Sequence, residues 1–245
     1  MKRSTINALI REAKAFMEER RFHLPPFAFW APDDWRAKGP EVAEIVDNGL
    51  GWDITDFGSG DFERCGLFLF TVRNGHPSNW ETMTGKLYAE KIMIVGVDQV
   101  TPYHFHWNKM EDIINRGGGN LLIRLYNATE DEQLADTPVT VSVDGVRRTV
   151  EAGTIVRLTP GESISLPTWL YHQFWGEGER DRRPRRDRRL RRVLVGEVSL
   201  VNDDAADNRF LESRGRFPEI EEDEAPLHLL VTDYARFYGT AGRPS

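Results

Sequence analysis

From Ser4 the apolar residues Ile6, Leu9, Ile10, Ala13, Phe16 and Met17 recur at the three- and four-residue spacing of a helix with one buried face. This spacing predicts a helix to about Arg21, with Ser4 as its cap. The following LPPFAFWAPDDW breaks any helix with its prolines, so residues 1–60 are read as a helical, aromatic-rich arm lying on a larger body. Beyond Cys65 the period falls to two. GLFLFTV, KLYAEKIMIV, YHFHW, NLLIRLYN, VTVSV, VRRTV, TIVRLT, SISLP, YHQFW, VLVGEVSLV and LHLLVTDY are short apolar or alternating runs separated by turn residues, and none is followed by a crossover helix. Residues 61–245 are therefore expected to form one all-β body, an antiparallel sandwich or barrel. Asp144-Gly145 is a two-residue hairpin signal, and Gly117 to Gly119 mark a tight turn between strands.

Composition narrows the partners. The 32 Lys and Arg against 39 Asp and Glu give a net charge of -7, which disfavours nucleic acid and anionic lipid as partners. No run approaches the ~18 apolar residues of a membrane span, and the charged start lacks the apolar core of a signal peptide, so a cytoplasmic protein is expected. The single cysteine, Cys65, excludes an internal disulfide and a thiolate zinc site. Residues 180–192 hold nine arginines and two aspartates without an aromatic to stack a base, and read as a solvated loop between two strands. The acidic run EIEEDE, 219–224, could pair with that loop or with Arg216.

The strongest chemical signal lies in TPYHFHWNKMEDIINRGGG. His104 and His106 are two apart on a strand and face the same side. Glu111 follows across the Asn108-Lys109 turn, and His172 in PTWLYHQFW is placed to complete the set from a later antiparallel strand. Three imidazoles and one carboxylate suit manganese, iron, cobalt, nickel or zinc and leave coordination positions open for a substrate.

The H-x-H-x4-E segment with a distant His resembles the metal signature of the cupins, double-stranded β-barrels (jelly rolls) holding one divalent ion inside. Trp169 stands where the second cupin motif carries Gly. More narrowly, the chain from its N-terminal helix through WETMTGKLYAEKIMIV and GEVSLVNDDAADNRF to GRFPEIEEDE resembles the D-lyxose isomerase branch, with residues 180–192 as an insertion. That resemblance implies a cupin barrel with the N-terminal helical arm and a short C-terminal helix. It also implies a Mn²⁺-dependent aldose–ketose isomerase acting on D-lyxose and D-xylulose, with D-mannose and D-fructose as further substrates, and a homodimer.

Isomerisation through an enediol needs a cation on two adjacent oxygens and a base beside the carbons. Lys109 and Lys91 are the candidates for stabilising enediolate charge, and Glu212 is the candidate base, followed by Glu197. Arg216 is a candidate for a distal hydroxyl, and Trp107 and Tyr171 for an aromatic wall against the sugar. Two other functions fit the same ligand set: a non-haem iron dioxygenase and a sugar-binding cupin without turnover.

Overall fold

In the computed structural model, which describes residues 1–178, 192–201, 203, 206–213 and 215–238, thirteen strands form two antiparallel sheets. The larger contains β1 (Gly51–Thr55), β2 (Leu67–Arg73), β3 (Tyr88–Val95), β12 (Val193–Leu200), β5 (Glu111–Gly117), β10 (Ser163–Leu166), β7 (Val139–Val143) and β8 (Val146–Val150), in that spatial order. The smaller runs β13 (Arg209–Phe210), β4 (His104–Phe105), β11 (Leu170–Gly176), β6 (Leu121–Asn127), β9 (Ile155–Leu158). All eleven pairings between strands are antiparallel, as a jelly roll requires.

Alternation explains what fills the barrel. One face of β12 carries Val193, Val195, Glu197 and Ser199, and the matching positions of β3 are Lys91, Met93 and Val95. Leu69, Met93, Val95, Ile113, Leu125, Ile164, Phe174, Val193 and Val195 bury together between the sheets. Towards one end that apolar column gives way to Lys91, Glu111 and Glu197 on the same inward face.

The outer face of the large sheet is partly covered by α1 (Arg3–Glu19). Ile6, Ile10, Ala13, Phe16 and Met17 of this helix pack on Trp52, Phe68, Phe70, Ile92, Ile94 and Leu194. Its start differs from the expected cap. Lys2 occupies the cap position without a side-chain bond, while the backbone N–H of Ser4 donates to Asp223 Oδ1 (2.9 Å) and its hydroxyl to Oδ2 (2.7 Å). The cap is thus supplied by the acidic run, whose carboxylate suits the positive end of the helix. Glu222 and Asp233 both grip the fully buried Arg3 guanidinium. These contacts give EIEEDE the role of docking the helix, Arg216 pairs with Asp53, and the expected pairing of the acidic run with residues 180–191 falls outside the described residues.

Two further differences are local. The large sheet starts inside the segment read as arm, because Trp52 and Ile54 of β1 face α1 while Asp53 and Thr55 alternate inward. LHLLVTDY is not a strand: Leu230 makes an isolated bridge to Trp52, followed by helical turns at Val231–Asp233 and Tyr234–Phe237, the short C-terminal helix that was expected. The arginine-rich segment lies outside the described residues except for Arg192, which pairs with Glu12 of α1. The Asp144-Gly145 turn has positive φ at both residues, as its sequence predicts.

Candidate metal centre and active site

The two sheets meet at a cavity of about 50 Å³ lined by Lys91, His104, His106, Lys109, Glu111, His172, Glu197, Asn208, Arg216 and apolar neighbours including Phe57, Phe174 and Phe210. The small sheet supplies the imidazoles. His104 of β4 and His172 of β11 are direct cross-strand partners, so their side chains leave the backbone on one face. His106 follows two residues after His104, and the ligand nitrogens of all three lie within 4.8 Å of one another. The large sheet supplies Glu111, Lys91 and Glu197 from the opposite wall.

Each imidazole is oriented by its far nitrogen. His104 Nδ1 donates to Pro102 O (2.9 Å), His106 Nδ1 to Asp207 O (2.7 Å) and His172 Nδ1 to Leu170 O (3.0 Å). A carbonyl can only accept, so these bonds assign the proton to Nδ1 and the lone pair to Nε2. The Nε2 atoms of His106 and His172 are buried without a hydrogen-bond partner in the protein. They nevertheless face Glu111 Oε1, at 3.6 Å and 3.1 Å respectively. Lone pairs this close to a carboxylate oxygen repel unless a cation lies among them, which is the test that a metal site should pass.

The electrostatics agree with neutral His104 and His106 beside an ionised Glu111. Burial, reinforced by the other two histidines, holds His104 well below the ordinary histidine range. Burial and then Lys109 lower His106. For Glu111 burial acts to raise the carboxyl, but Lys109 and the histidines override it and hold the group well below its ordinary value. Lys109 Nζ reaches Glu111 Oε2 at 2.7 Å, leaving Oε1 turned to the imidazoles. The three histidines could hold a metal ion, with Glu111 beside them.

A second set of charges adjoins this centre. Lys109 Nζ also donates to Glu197 Oε1 (2.8 Å), and Lys91 Nζ lies 3.5 Å from the same oxygen. Lys91 and Glu197 are cross-strand partners on β3 and β12, which places both at one height of the barrel. All three side chains are buried, so a carboxylate within reach of the cavity is held between two ammonium groups.

The other residues proposed from the sequence separate. Arg216 lines the cavity, with its guanidinium on Asp53 (Nη1 to Oδ1, 3.2 Å) and over the Phe217 ring. Glu212 is exposed and is not part of the cavity lining. Trp107 and Tyr171 also lie off the cavity, because they alternate with His106 and His172 and so face outwards. Both pack on Phe105, and both bind Glu132: Trp107 Nε1 donates to Oε1 (2.9 Å) and the Tyr171 hydroxyl to the backbone oxygen (2.7 Å). Arg209 joins them on the Glu132 carboxylate. These aromatics brace the wall behind the site rather than lining it.

Two features of the wall took their roles only from the structure. Trp169 adopts φ +60°, the left-handed conformation that the motif glycine would take without cost, and is held there by stacking on Phe105 (5.1 Å) and by donating its N–H to His106 O (3.0 Å). The segment from Asp207 to Phe210 closes one side, pairing with β4 so that Phe210 lies opposite His104. A run of six polar and small residues between Val201 and Asn208 does not reveal which of its carboxylates turns inwards.

Comparison with known proteins follows the same outline. A family model described as D-lyxose isomerase matches residues 1–234. Proteins named D-lyxose/D-mannose isomerase from Serratia proteamaculans and Escherichia coli O157:H7 are 50% and 48% identical over 239 residues, covering 97% of this chain and 99% and 100% of theirs. Among solved structures, L-ribose isomerase from an Acinetobacter species in complex with L-ribose superposes with a TM-score of 0.56 at 16% identity, covering 90% of this chain and 98% of that one. The Cellulomonas parahominis L-ribose isomerase with L-ribose gives 0.55 at 16% identity, over 91% and 97%. At these identities the structures speak for the fold alone, a barrel of two antiparallel sheets. With the family model matched over residues 1–234 and full-length relatives sharing about half its residues, the chain belongs to the D-lyxose isomerase family.

Proposed function

We propose that this protein interconverts D-lyxose with D-xylulose, and D-mannose with D-fructose, by moving a proton between C2 and C1 of the sugar. The substrates follow the names of the two close relatives. The observation that carries the chemistry is the Glu197–Lys109 hydrogen bond, made inside the cavity beside three converging imidazoles.

His104, His106, His172 and Glu111 would hold one divalent ion, which when bound supplies Lewis-acid polarisation of the sugar oxygens. Manganese is the proposed ion, supported by the resemblance and by a nitrogen-rich set with one carboxylate; iron, cobalt, nickel or zinc suit the same donors. Glu197 is the proposed base in place of Glu212. It takes the C2 proton as the C1=C2 bond forms and the carbonyl pair moves to O1; the O2 proton passes to O1, and as the C2=O bond forms the carboxyl returns its proton to C1. Lys109 and Lys91 stabilise the negative charge that develops on the sugar oxygens, as the donors of an oxyanion site do. Asn208 and the Asp53-bound Arg216 offer polar partners for distal hydroxyls, while Phe57 and Phe210 offer apolar surface to the carbon chain.

A homodimer is supported by Tyr88, Met110 and Val198, exposed at 50%, 46% and 42% on the part of the large sheet that α1 leaves open. A cytoplasmic location is supported by the single cysteine, Cys65; no helix among the described residues is long and apolar enough to cross a membrane.

The test is incubation of chelator-treated, Mn²⁺-reloaded protein with each aldose in D₂O. Ketose carrying deuterium at C1 is the expected product. Absence of ketose from every aldose refutes the isomerase reading, and oxygen consumption by iron-loaded protein would return the site to the dioxygenase alternative. Ketose without deuterium would favour a hydride shift.

A further inference from the structure

His104 and His172 are oriented by carbonyls only two residues earlier in the chain, Pro102 just before β4 and Leu170 within β11, so local backbone geometry sets those rings. His106 differs. The carbonyl that accepts its Nδ1–H belongs to Asp207, 101 residues away, in the segment that also closes one side of the cavity. The Asp207 side chain, 6% exposed, then captures the turn that follows His106. Its Oδ1 accepts from the backbone N–H of Trp107 (3.1 Å), the N–H of Asn108 (3.0 Å) and Asn108 Nδ2 (3.1 Å), and its Oδ2 accepts from the N–H of Lys109 (3.0 Å). One residue therefore fixes both the ring of an imidazole ligand and the backbone of the lysine that bridges Glu111 and Glu197.

We propose that Asp207 is a positioning residue that couples closure of segment 207–210 to assembly of the metal centre and to the placement of Lys109. The proposal rests on the metal reading given above. Four donors converge on a single buried carboxylate, a charge-assisted arrangement that is stronger than neutral bonds, and loss of one oxygen removes the acceptor its donors use. The site's geometry is therefore complete only when the segment containing Asn208 and Phe210 is docked. Metal retention and cavity closure then become one event.

The test is Asp207→Asn, which keeps one acceptor but sets an NH₂ group against either the Lys109 N–H or the Trp107 and Asn108 donors. Far-UV circular dichroism establishes that the variant folds, and Co²⁺ titration reads affinity and, through the visible spectrum, coordination. The expected loss of Co²⁺ affinity is about 10- to 100-fold, the usual effect of removing a group that orients a ligand. The spectrum should change, and kcat should fall with KM nearly constant. Asp144→Ala, which removes the two bonds from Ser163 at a distant hairpin, should lower thermal stability and leave Co²⁺ binding unchanged. Wild-type affinity and spectrum in Asp207→Asn overturn the proposal, whereas a wild-type protein that binds no Co²⁺ overturns the metal reading instead. If Asp207→Asn does not fold, hydrogen exchange of the wild type decides: Co²⁺ should slow exchange in a peptide covering 206–211 as well as in 104–111. Slowing confined to 104–111 refutes the coupling.

Discussion

Replacing Lys109 by Met removes a cation from between two buried carboxylates while nearly preserving side-chain length. Lys109 Nζ stands 2.7 Å from Glu111 and 2.8 Å from Glu197, and the three side chains are 2%, 3% and 5% exposed. Taking one member from a buried ion pair costs about 3–5 kcal/mol, because the partner charge is left unsatisfied. Glu197 keeps Lys91 at 3.5 Å, so most of the penalty falls on Glu111. For a chain of this size the metal-free variant should melt roughly 6–20 °C below the metal-free wild type. A divalent cation restores the missing charge. The rise in melting temperature on adding Mn²⁺ should therefore be larger in the variant than in the wild type, for which ion at 100 times its dissociation constant contributes about 2.7 kcal/mol. The pH dependence has a defined sign. Glu111, held below its ordinary 4.5 despite burial, favours the wild-type fold at neutral pH and loses that contribution as pH falls through its depressed value. Without Lys109 the desolvation that raises the carboxyl gains weight, so the stability gap between variant and wild type should narrow on acidification. The assay is differential scanning fluorimetry from pH 4 to 8 with and without Mn²⁺. A metal-free variant melting within about 2 °C of the wild type, far less than a buried unpaired carboxylate would cause, refutes the reasoning.

Glu197→Gln should reduce turnover of D-lyxose by at least about 100-fold with the ion retained by elemental analysis, whereas exposed Glu212→Gln should stay near wild type; the opposite pattern would restore Glu212 as base. Trp107→Phe loses the bond to Glu132 but no cavity surface, so KM for D-lyxose should hold while the melting temperature drops by about 2–4 °C for ~1 kcal/mol. Arg3→Met should destabilise the fold by about 3–5 kcal/mol in urea unfolding through the buried Asp233, with Glu222, about one-third exposed, adding little. Chiefly because of its bonds from Arg3, the Glu222 carboxyl is held low, so its contribution is present at neutral pH and fades in acid below about 4.5, and the variant should lack that part of the wild-type acid sensitivity.

Period-two runs and turn residues were sufficient to define an antiparallel β body, because alternation and φ-positive turns are local consequences of a sheet with one face buried. The same locality made His104 and His106 legible as a pair, since two residues apart on a strand is a statement about direction. Long-range facts were not legible. Glu197 shares its face with Val193 and Val195, but both faces of β12 begin apolar, one against the barrel interior and one against α1, so parity alone could not tell which side Glu197 took. Glu212 is the first choice of base from the sequence, yet the fold leaves it at the surface. Trp107 and Tyr171 were read as site walls from their nearness to the ligands in sequence, yet alternation sends them to the opposite face, where Glu132 collects them. Asp223 as the helix cap and Asp207 as the clamp on His106 and Lys109 act across 219 and 98–101 residues. The sequence by itself determined which residues could bind a cation and which segments could be strands. Only the tertiary structure decided which carboxylates lose their water and meet the imidazoles, because desolvation and charge proximity depend on which surfaces the two sheets bring together.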